Sequence, residues 1–132
     1  MKTRVFLDTN FFMMPYKNGI DIFQEIGRLM SSDQDYEVVT LSSARRELEV
    51  LAEKGRGEDK VAARIGLELL SEKRVSVIKG VPGFSADEDL LGFAEKGRDI
   101  IVCTNDKMLK KELREKGVKV ITMRSKSHLA YI

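Results

Sequence analysis

Short apolar runs alternate along the chain with longer segments of helical periodicity. Five runs rich in Val, Ile and Leu predict strands, at residues 4–7, 37–41, 75–78, 99–104 and 118–122. Apolar positions three and four apart predict helices, at residues 20–30, 43–54, 58–73, 86–96 and 107–116. Strands that alternate with helices predict a three-layer α/β fold, in which a parallel sheet carries helices on both faces.

The composition is that of an ordinary folded chain. It has 132 residues, 42% of them hydrophobic and 33% charged, and we expect residues 1–132 to form a single domain. No apolar run approaches the roughly 20 residues that span a bilayer, so we expect no membrane partner. The only cysteine, Cys103, excludes a disulfide within the chain, and a single histidine argues against a Cys/His zinc site. A reducing, cytoplasmic location is therefore expected.

Basic residues concentrate near the end of the sequence. Residues 107–126 contain eight basic and two acidic side chains and carry a net charge of +6, whereas the rest of the chain carries −4. This asymmetry is typical of a surface that binds a polyanion, although a solvated helix face would show it as well.

Asp87 occupies a position that would be apolar if the residue served only to stabilise the fold. It lies one turn ahead of the apolar stripe of the helix predicted at residues 86–96, and on the same face. Asp89 is expected to point to nearly the opposite side. Ser85 and Glu88 have the spacing of a capping box, so the helix does not need Asp87 as its cap.

Three further acidic residues are expected in the same region. Asp8 ends the first strand and Asp106 follows the fourth, and ligands of such sheets bind beyond the carboxyl ends of the strands. Either aspartate could instead cap the turn or helix that follows it. Glu47 lies at the edge of an apolar helix face with no Lys or Arg three or four residues away. It is therefore either a ligand or a side chain that reaches solvent.

Together these four carboxylates predict a metal site. Carboxylates that converge in one cleft repel each other and raise each other's pKa unless a cation joins them. Oxygen-only ligands favour a hard divalent ion, here Mg²⁺ or Mn²⁺. A metal held by carboxylates and water beside a basic surface suits phosphodiester cleavage.

Four segments, in order, resemble the motifs of PIN-domain nucleases: residues 5–10, 42–48, 86–91 and 104–106. The first runs from a strand into Asp8-Thr9-Asn10, and the others contain Glu47, Asp87 and Asp106. The similarity covers essentially the whole chain. It is closest to the archaeal relatives of the small-subunit processome PIN ribonuclease, through residues 8–11, 60–64 and 124–126. One departure is Glu88, where relatives often have a second Asp, so Glu88 is expected only in the outer shell of the site.

The resemblance implies a parallel five-stranded sheet of order 3-2-1-4-5, which would bring Asp8 and Asp106 side by side. It implies a magnesium- or manganese-dependent endoribonuclease, with a role in RNA processing such as rRNA processing. The catalytic and metal-binding residues would be Asp8, Glu47, Asp87 and Asp106, acting directly or through water. Asn10 and Thr104 would orient carboxylates or water. The residues expected to hold RNA are Lys107, Lys110, Lys111, Arg114, Arg124 and Lys126.

Two alternatives share the same residues. One is a toxin ribonuclease of the VapC kind, which would have an antitoxin as partner. The other is a non-catalytic RNA-binding or assembly domain that has kept its acidic residues. The apolar run at residues 11–16 predicts core or a contact in a homodimer, rather than a surface on which bases stack.

Overall fold

The computed structural model describes residues 2–96 and 99–132. Its middle layer is a six-stranded sheet of order β3-β2-β1-β4-β5-β6, in which β6 is antiparallel to β5 and the other pairings are parallel. The strands are β1 (Thr3–Leu7), β2 (Tyr36–Leu41), β3 (Ser76–Ile78), β4 (Ile100–Cys103), β5 (Lys119–Ser125) and β6 (His128–Tyr131).

Helices cover both faces of the sheet. In the described ranges they are α1 (Thr9–Asn18), α2 (Ile22–Leu29), α3 (Ser42–Lys54), α4 (Glu58–Glu72), α5 (Ala86–Lys96) and α6 (Lys107–Glu115). None of the described helices is long and apolar enough to cross a membrane.

Successive residues of the central strands face opposite layers, and this alternation divides the core in two. Val5 and Leu7 of β1 face the apolar cluster that also contains buried residues of α1, α2, α3 and α4. Phe6 faces the second cluster, which is completed by α5 and α6. Phe6 also contacts Phe93 of α5, with ring centroids 5.4 Å apart. The three-layer prediction and the order of the first five strands are confirmed.

The predicted number of strands is wrong, because β6 adds an antiparallel edge strand. On its outer side, side chains of α2 bind the backbone of Leu129. The Leu129 N–H donates to Oε1 of Glu25 over 3.0 Å, and Nη2 of Arg28 donates to the Leu129 carbonyl over 2.8 Å. An edge strand of four residues carries little periodic signal of its own, and these long-range hydrogen bonds explain its stability.

The helix α1, which begins immediately after β1, was not among the predicted elements. Pro15 lies inside this helix, where proline normally disfavours helix. Burial outweighs that cost, since the side chains from Phe11 to Met14 are buried and Tyr16 alone in this run is largely exposed. Residues 11–14 of the run are therefore core, which is one of the two roles predicted for it. Its close approach to α4 depends on Gly66, where a Cβ would lie 2.7 Å from the Phe12 carbonyl oxygen.

Candidate active site

Asp8 lies at the carboxyl end of β1, where the strand order reverses, and is only 8% exposed. Its Oδ1 accepts the Phe11 N–H over 3.0 Å at the start of α1, and its Oδ2 accepts the Thr104 hydroxyl over 2.5 Å. Burial, helped by the charges of Asp87 and Asp106, raises the pKa of Asp8 to about 6, although both hydrogen bonds lower it. A group of this kind accepts a cation readily, because the cation relieves the cost of its buried charge.

Asp106 is tied to Asp8 through one hydroxyl group. The Thr104 Oγ1 that donates to Asp8 also accepts the Asp106 N–H over 3.1 Å. The Asp106 Oδ1 accepts the Leu109 N–H over 2.9 Å and so caps α6. Both aspartates therefore cap a helix while lying at the carboxyl edge of the sheet, which means that capping and a site role are compatible here.

Asn105, which the sequence does not predict as a site residue, holds this segment against β5. Its Oδ1 accepts the Thr122 hydroxyl over 2.8 Å and the Met123 N–H over 2.9 Å. The side chain thus fixes the loop in which Thr104 and Asp106 stand. Its only sequence signal was its position between two candidate residues.

Glu47 approaches the site from α3, on the other side of β1, and is exposed. Its Oε2 accepts the Thr9 hydroxyl over 2.5 Å. Thr9 opens α1 directly after Asp8, so this contact links the carboxylate of Glu47 to the backbone next to Asp8. Sequence reasoning missed Thr9, because its partner is 38 residues away.

Asp87 lies exposed in the first turn of α5. Its pKa is raised by partial burial and then by the nearby charges of Asp106, Glu47 and Glu112. Asp87 is thus near enough to Asp106 and Glu47 to be affected by their charges, as Asp8 is by those of Asp87 and Asp106. The capping box that was expected next to Asp87 is confirmed, because Ser85 and Glu88 each accept the other's backbone N–H over 3.2 Å.

The opposite side of α5, to which Asp89 is expected to point, is covered by other parts of the chain and is not open to solvent. Asp89 is buried, with 3% of its surface exposed, and does not point to solvent. Its Oδ1 accepts the Val81 N–H over 2.9 Å, and its Oδ2 accepts the Ser43 hydroxyl over 3.4 Å. Helical phase identified the apolar stripe correctly, but the loop between β3 and α5 folds back over the opposite side of α5. Gly80 allows this approach, since a Cβ there would lie 2.0 Å from the Asp89 carboxylate.

The donor chemistry fits a hard divalent cation. Within the described part of the chain, no three His, Cys, Asp or Glu side chains lie close enough together to bind one ion directly. The four carboxylates are nevertheless all oxygen donors, and repulsion among them contributes to the raised pKa of Asp8 and Asp87. Mg²⁺ usually keeps several of its waters in proteins, so carboxylates at this longer range suit a hydrated ion.

The other predicted site residues lie on α1, on α6 and around the β5–β6 turn. Asn10 is exposed in the first turn of α1. The α6 side chains predicted to hold RNA line a groove of about 570 Å³, and they are Lys107, Lys110, Lys111 and Arg114. Arg124 lies near the end of β5, and Lys126 follows it in the turn to β6. Because β5 is parallel to β4, that turn lies at the same edge of the sheet as Asp106.

The chain is similar to known proteins along most of its length. Residues 5–126 match the PIN-like domain. Ribonuclease VapC4 of Methanocaldococcus jannaschii is 33% identical over 123 residues, which cover 92% of this chain and 90% of that protein. Ribonuclease VapC9 of Archaeoglobus fulgidus is 36% identical over 114 residues, which cover 86% of this chain and 78% of that protein.

A solved structure of a PIN domain has a similar fold. The PIN domain endonuclease Utp24 matches with a TM-score of 0.77 and 22% identity, over 97% of this chain and 90% of that one. At this identity the likeness concerns the fold alone. The sequence match over residues 5–126 establishes the family as well as the fold, and the chain therefore belongs to the PIN-like domain family.

Proposed function

We propose that this protein is a divalent-metal-dependent endoribonuclease that hydrolyses RNA phosphodiester bonds. The observation that carries the proposal is the placement of Asp8, Glu47, Asp87 and Asp106. In support of it, the four lie on separate elements near the edge where the strand order reverses, and two of them, Asp8 and Asp87, have raised pKa values. The names of the two ribonuclease relatives support RNA as the substrate.

The four carboxylates would hold Mg²⁺ or Mn²⁺, directly or through water. A bound ion of this kind lowers the pKa of a water molecule and polarises the scissile phosphate. The chain's own polar groups orient the ligands, because Thr104 fixes one oxygen of Asp8 and Thr9 fixes one oxygen of Glu47. Asn10, in the same turn as Thr9, would orient water or carboxylate groups.

The basic side chains of α6 and of the β5–β6 turn would hold the RNA backbone. Their charge offsets the repulsion between RNA phosphates and the acidic site. A reducing, cytoplasmic location, proposed from the single cysteine, is compatible with an RNA substrate.

The test is cleavage of structured RNA in the presence of Mn²⁺, with an Asp8→Asn variant as the control. We expect the parent to cut internal phosphodiester bonds and both the variant and an EDTA-treated parent to leave the RNA intact. A non-catalytic RNA-binding domain would instead bind RNA equally well in all three samples and cut it in none.

A toxin ribonuclease with an antitoxin partner is the second candidate, and the VapC names of the two relatives favour it. Induced expression in a bacterial host separates the two roles. A toxin should arrest growth in the parent form and not as Asp8→Asn, whereas an RNA-processing enzyme should leave growth unchanged in both forms.

A further inference from the structure

Phe84 is an exposed aromatic residue beside the acidic site, and it lies outside the apolar run at residues 11–16. Phe84 is 46% exposed and lies in the loop that joins β3 to α5. The loop is held in place, since the Phe84 N–H donates to the Val81 carbonyl over 3.0 Å and the Val81 N–H donates to the buried carboxylate of Asp89. The ring is therefore presented by a fixed backbone.

Phe84 lines an open groove of about 520 Å³ between this loop and α3. Val50 and Leu51 of α3 provide apolar lining on the helix side, and Val50 is itself largely exposed. Arg46 and Glu47 also line the groove. Because Glu47 is one of the four converging carboxylates, the groove is continuous with the acidic site.

The strand order places this groove and the basic groove of α6 on opposite sides of the acids. The helix α3 follows β2, which neighbours β1 on one side, whereas α6 follows β4, which neighbours β1 on the other. A strand of RNA that lies across Asp8 and is held by α6 would therefore continue toward Phe84.

We propose that the groove between Phe84 and α3 binds one unpaired nucleobase of the RNA, next to the bond that is cut. This inference rests on the proposed function and adds a subsite to it. Phe84 supplies a flat face for stacking, Val50 and Leu51 supply apolar walls, and Arg46 supplies a cation for the phosphate of that nucleotide.

Continuity with the acidic site favours a nucleobase over an apolar segment of a protein. Whatever occupies the groove lies beside Glu47, where a divalent ion and a phosphate are expected in the same complex. A nucleotide satisfies the apolar walls through its base and Arg46 through its phosphate, whereas an apolar peptide side chain would leave Arg46 without an anionic partner. The subsite selects single-stranded RNA, because stacking on neighbouring bases covers the faces of the bases within a duplex.

The test compares two ligands of equal charge, a short oligoadenylate and an abasic chain of the same length with the same ribose-phosphate backbone. Binding is measured in Ca²⁺, so that no cleavage interferes. We expect Phe84→Ala to lower the affinity for oligoadenylate by about tenfold, the magnitude of one lost base–aromatic stack, and to leave the affinity for the abasic chain unchanged. Phe84→Trp should restore the preference for oligoadenylate.

Tyr16→Ala is the matched control, because Tyr16 is an aromatic residue of similar exposure, 43%, that does not line the groove. It should bind both ligands like the parent. Equal affinities of parent and Phe84→Ala for oligoadenylate, or equal losses for both ligands, would overturn the inference and leave the groove to a protein segment. Failure of the parent to bind either ligand would overturn it too. Cleavage of RNA by the parent protein in Mn²⁺ tests the proposed function separately, since that assay involves no change at Phe84.

Discussion

At the scale of single residues, Asp8 shows how the site imposes a cost on the fold. Its pKa is about 6 in the folded protein against 3.8 for an unperturbed aspartate, so the folded state holds the proton more tightly. The associated stability is complete below pH 3.8 and is lost as the pH rises through about 6. The two-unit difference corresponds to about 3 kcal/mol that the metal-free protein lacks at neutral pH.

We therefore predict that Asp8→Asn stabilises the metal-free protein above pH 6, by up to about 3 kcal/mol. The amide oxygen can still accept the N–H of Phe11, so the cap is kept. The amide NH2 cannot accept the Thr104 hydroxyl as Oδ2 does, and this loss offsets part of the gain. Urea denaturation in EDTA between pH 5 and pH 7.5 measures the difference. Millimolar Mn²⁺ should reverse the order by stabilising only the parent. Parallel pH profiles for the two proteins would contradict this account of Asp8.

Asp87 and Asp89 should separate activity from stability. We predict that Asp87→Asn abolishes cleavage without lowering the free energy of unfolding, because the Asp87 side chain is exposed and faces the other acids. Asp89→Ala should lower stability by about 1–3 kcal/mol, since it leaves the Val81 N–H without its acceptor.

Asp89→Asn is the matched control for both variants. Its amide oxygen can still accept the Val81 N–H, so the variant should stay folded and continue to cut RNA. Cleavage assays combined with urea denaturation measure both properties. Equal loss of cleavage in Asp87→Asn and Asp89→Asn would show that Asp87 has no special place in the site.

These residues also show which parts of the site can be predicted from sequence. Asp8, Asp87 and Asp106 follow strands or open helices, and those positions depend only on local pattern. Thr9 and Asp89 are different, because their partners, Glu47 and Val81, are brought to them by the tertiary fold. Helical phase assigns a side chain to a face, but it does not say whether a loop covers that face.

At the scale of elements, the pair Glu25 and Arg28 holds β6 against α2. Glu25 accepts Nε and Nη2 of Arg28 over 3.0 and 2.9 Å and also accepts the Leu129 N–H. These hydrogen bonds lower the pKa of Glu25 to about 2. Its contribution to stability is therefore present above pH 4.5 and is lost as the pH falls toward 2.

We predict that Glu25→Ala lowers the free energy of unfolding by about 1–2 kcal/mol and loosens β6 selectively. Hydrogen exchange at the Leu129 amide should accelerate far more than exchange in β1 or β4. Glu53→Ala, which removes an exposed carboxylate of α3, is the control and should change neither measurement. If Leu129 exchanges at the parent rate in the Glu25 variant, the pair does not hold the strand.

Local pattern predicts an element well when the element carries its own periodicity, as α3, α4 and α6 do. The strand β6 has only four residues and depends on a distant helix, while α1 contains Pro15 and an unbroken apolar run. Neither has the alternation of apolar and polar residues from which helices and strands are recognised. Their stability comes from tertiary contacts instead.

At the scale of the whole molecule, strand order determines what lies next to the acids. The order of the first five strands followed from the resemblance and is confirmed, so the neighbourhood of Asp8 and Asp106 could be predicted. The groove beside Phe84 could not, because it forms between a loop and a helix from distant parts of the sequence. The charge asymmetry along the chain was visible from the start, and α6 turns it into one basic groove.

That basic groove should bind the RNA backbone by charge alone. We predict that neutralising Lys110, Lys111 and Arg114 with Gln weakens RNA binding with little effect on folding, since the groove they line is open to solvent. Three lost phosphate contacts should reduce the slope of log K against log salt by about 2 for single-stranded RNA. The measurement is a salt titration of RNA binding in Ca²⁺.

The control for this prediction neutralises three exposed cations outside the α6 groove, Lys2, Lys54 and Arg56, and should keep the parent's slope. If both triple variants change the slope equally, RNA responds only to the net charge of the protein. If neither does, α6 presents a solvated face and RNA must reach the acids from the side of Phe84.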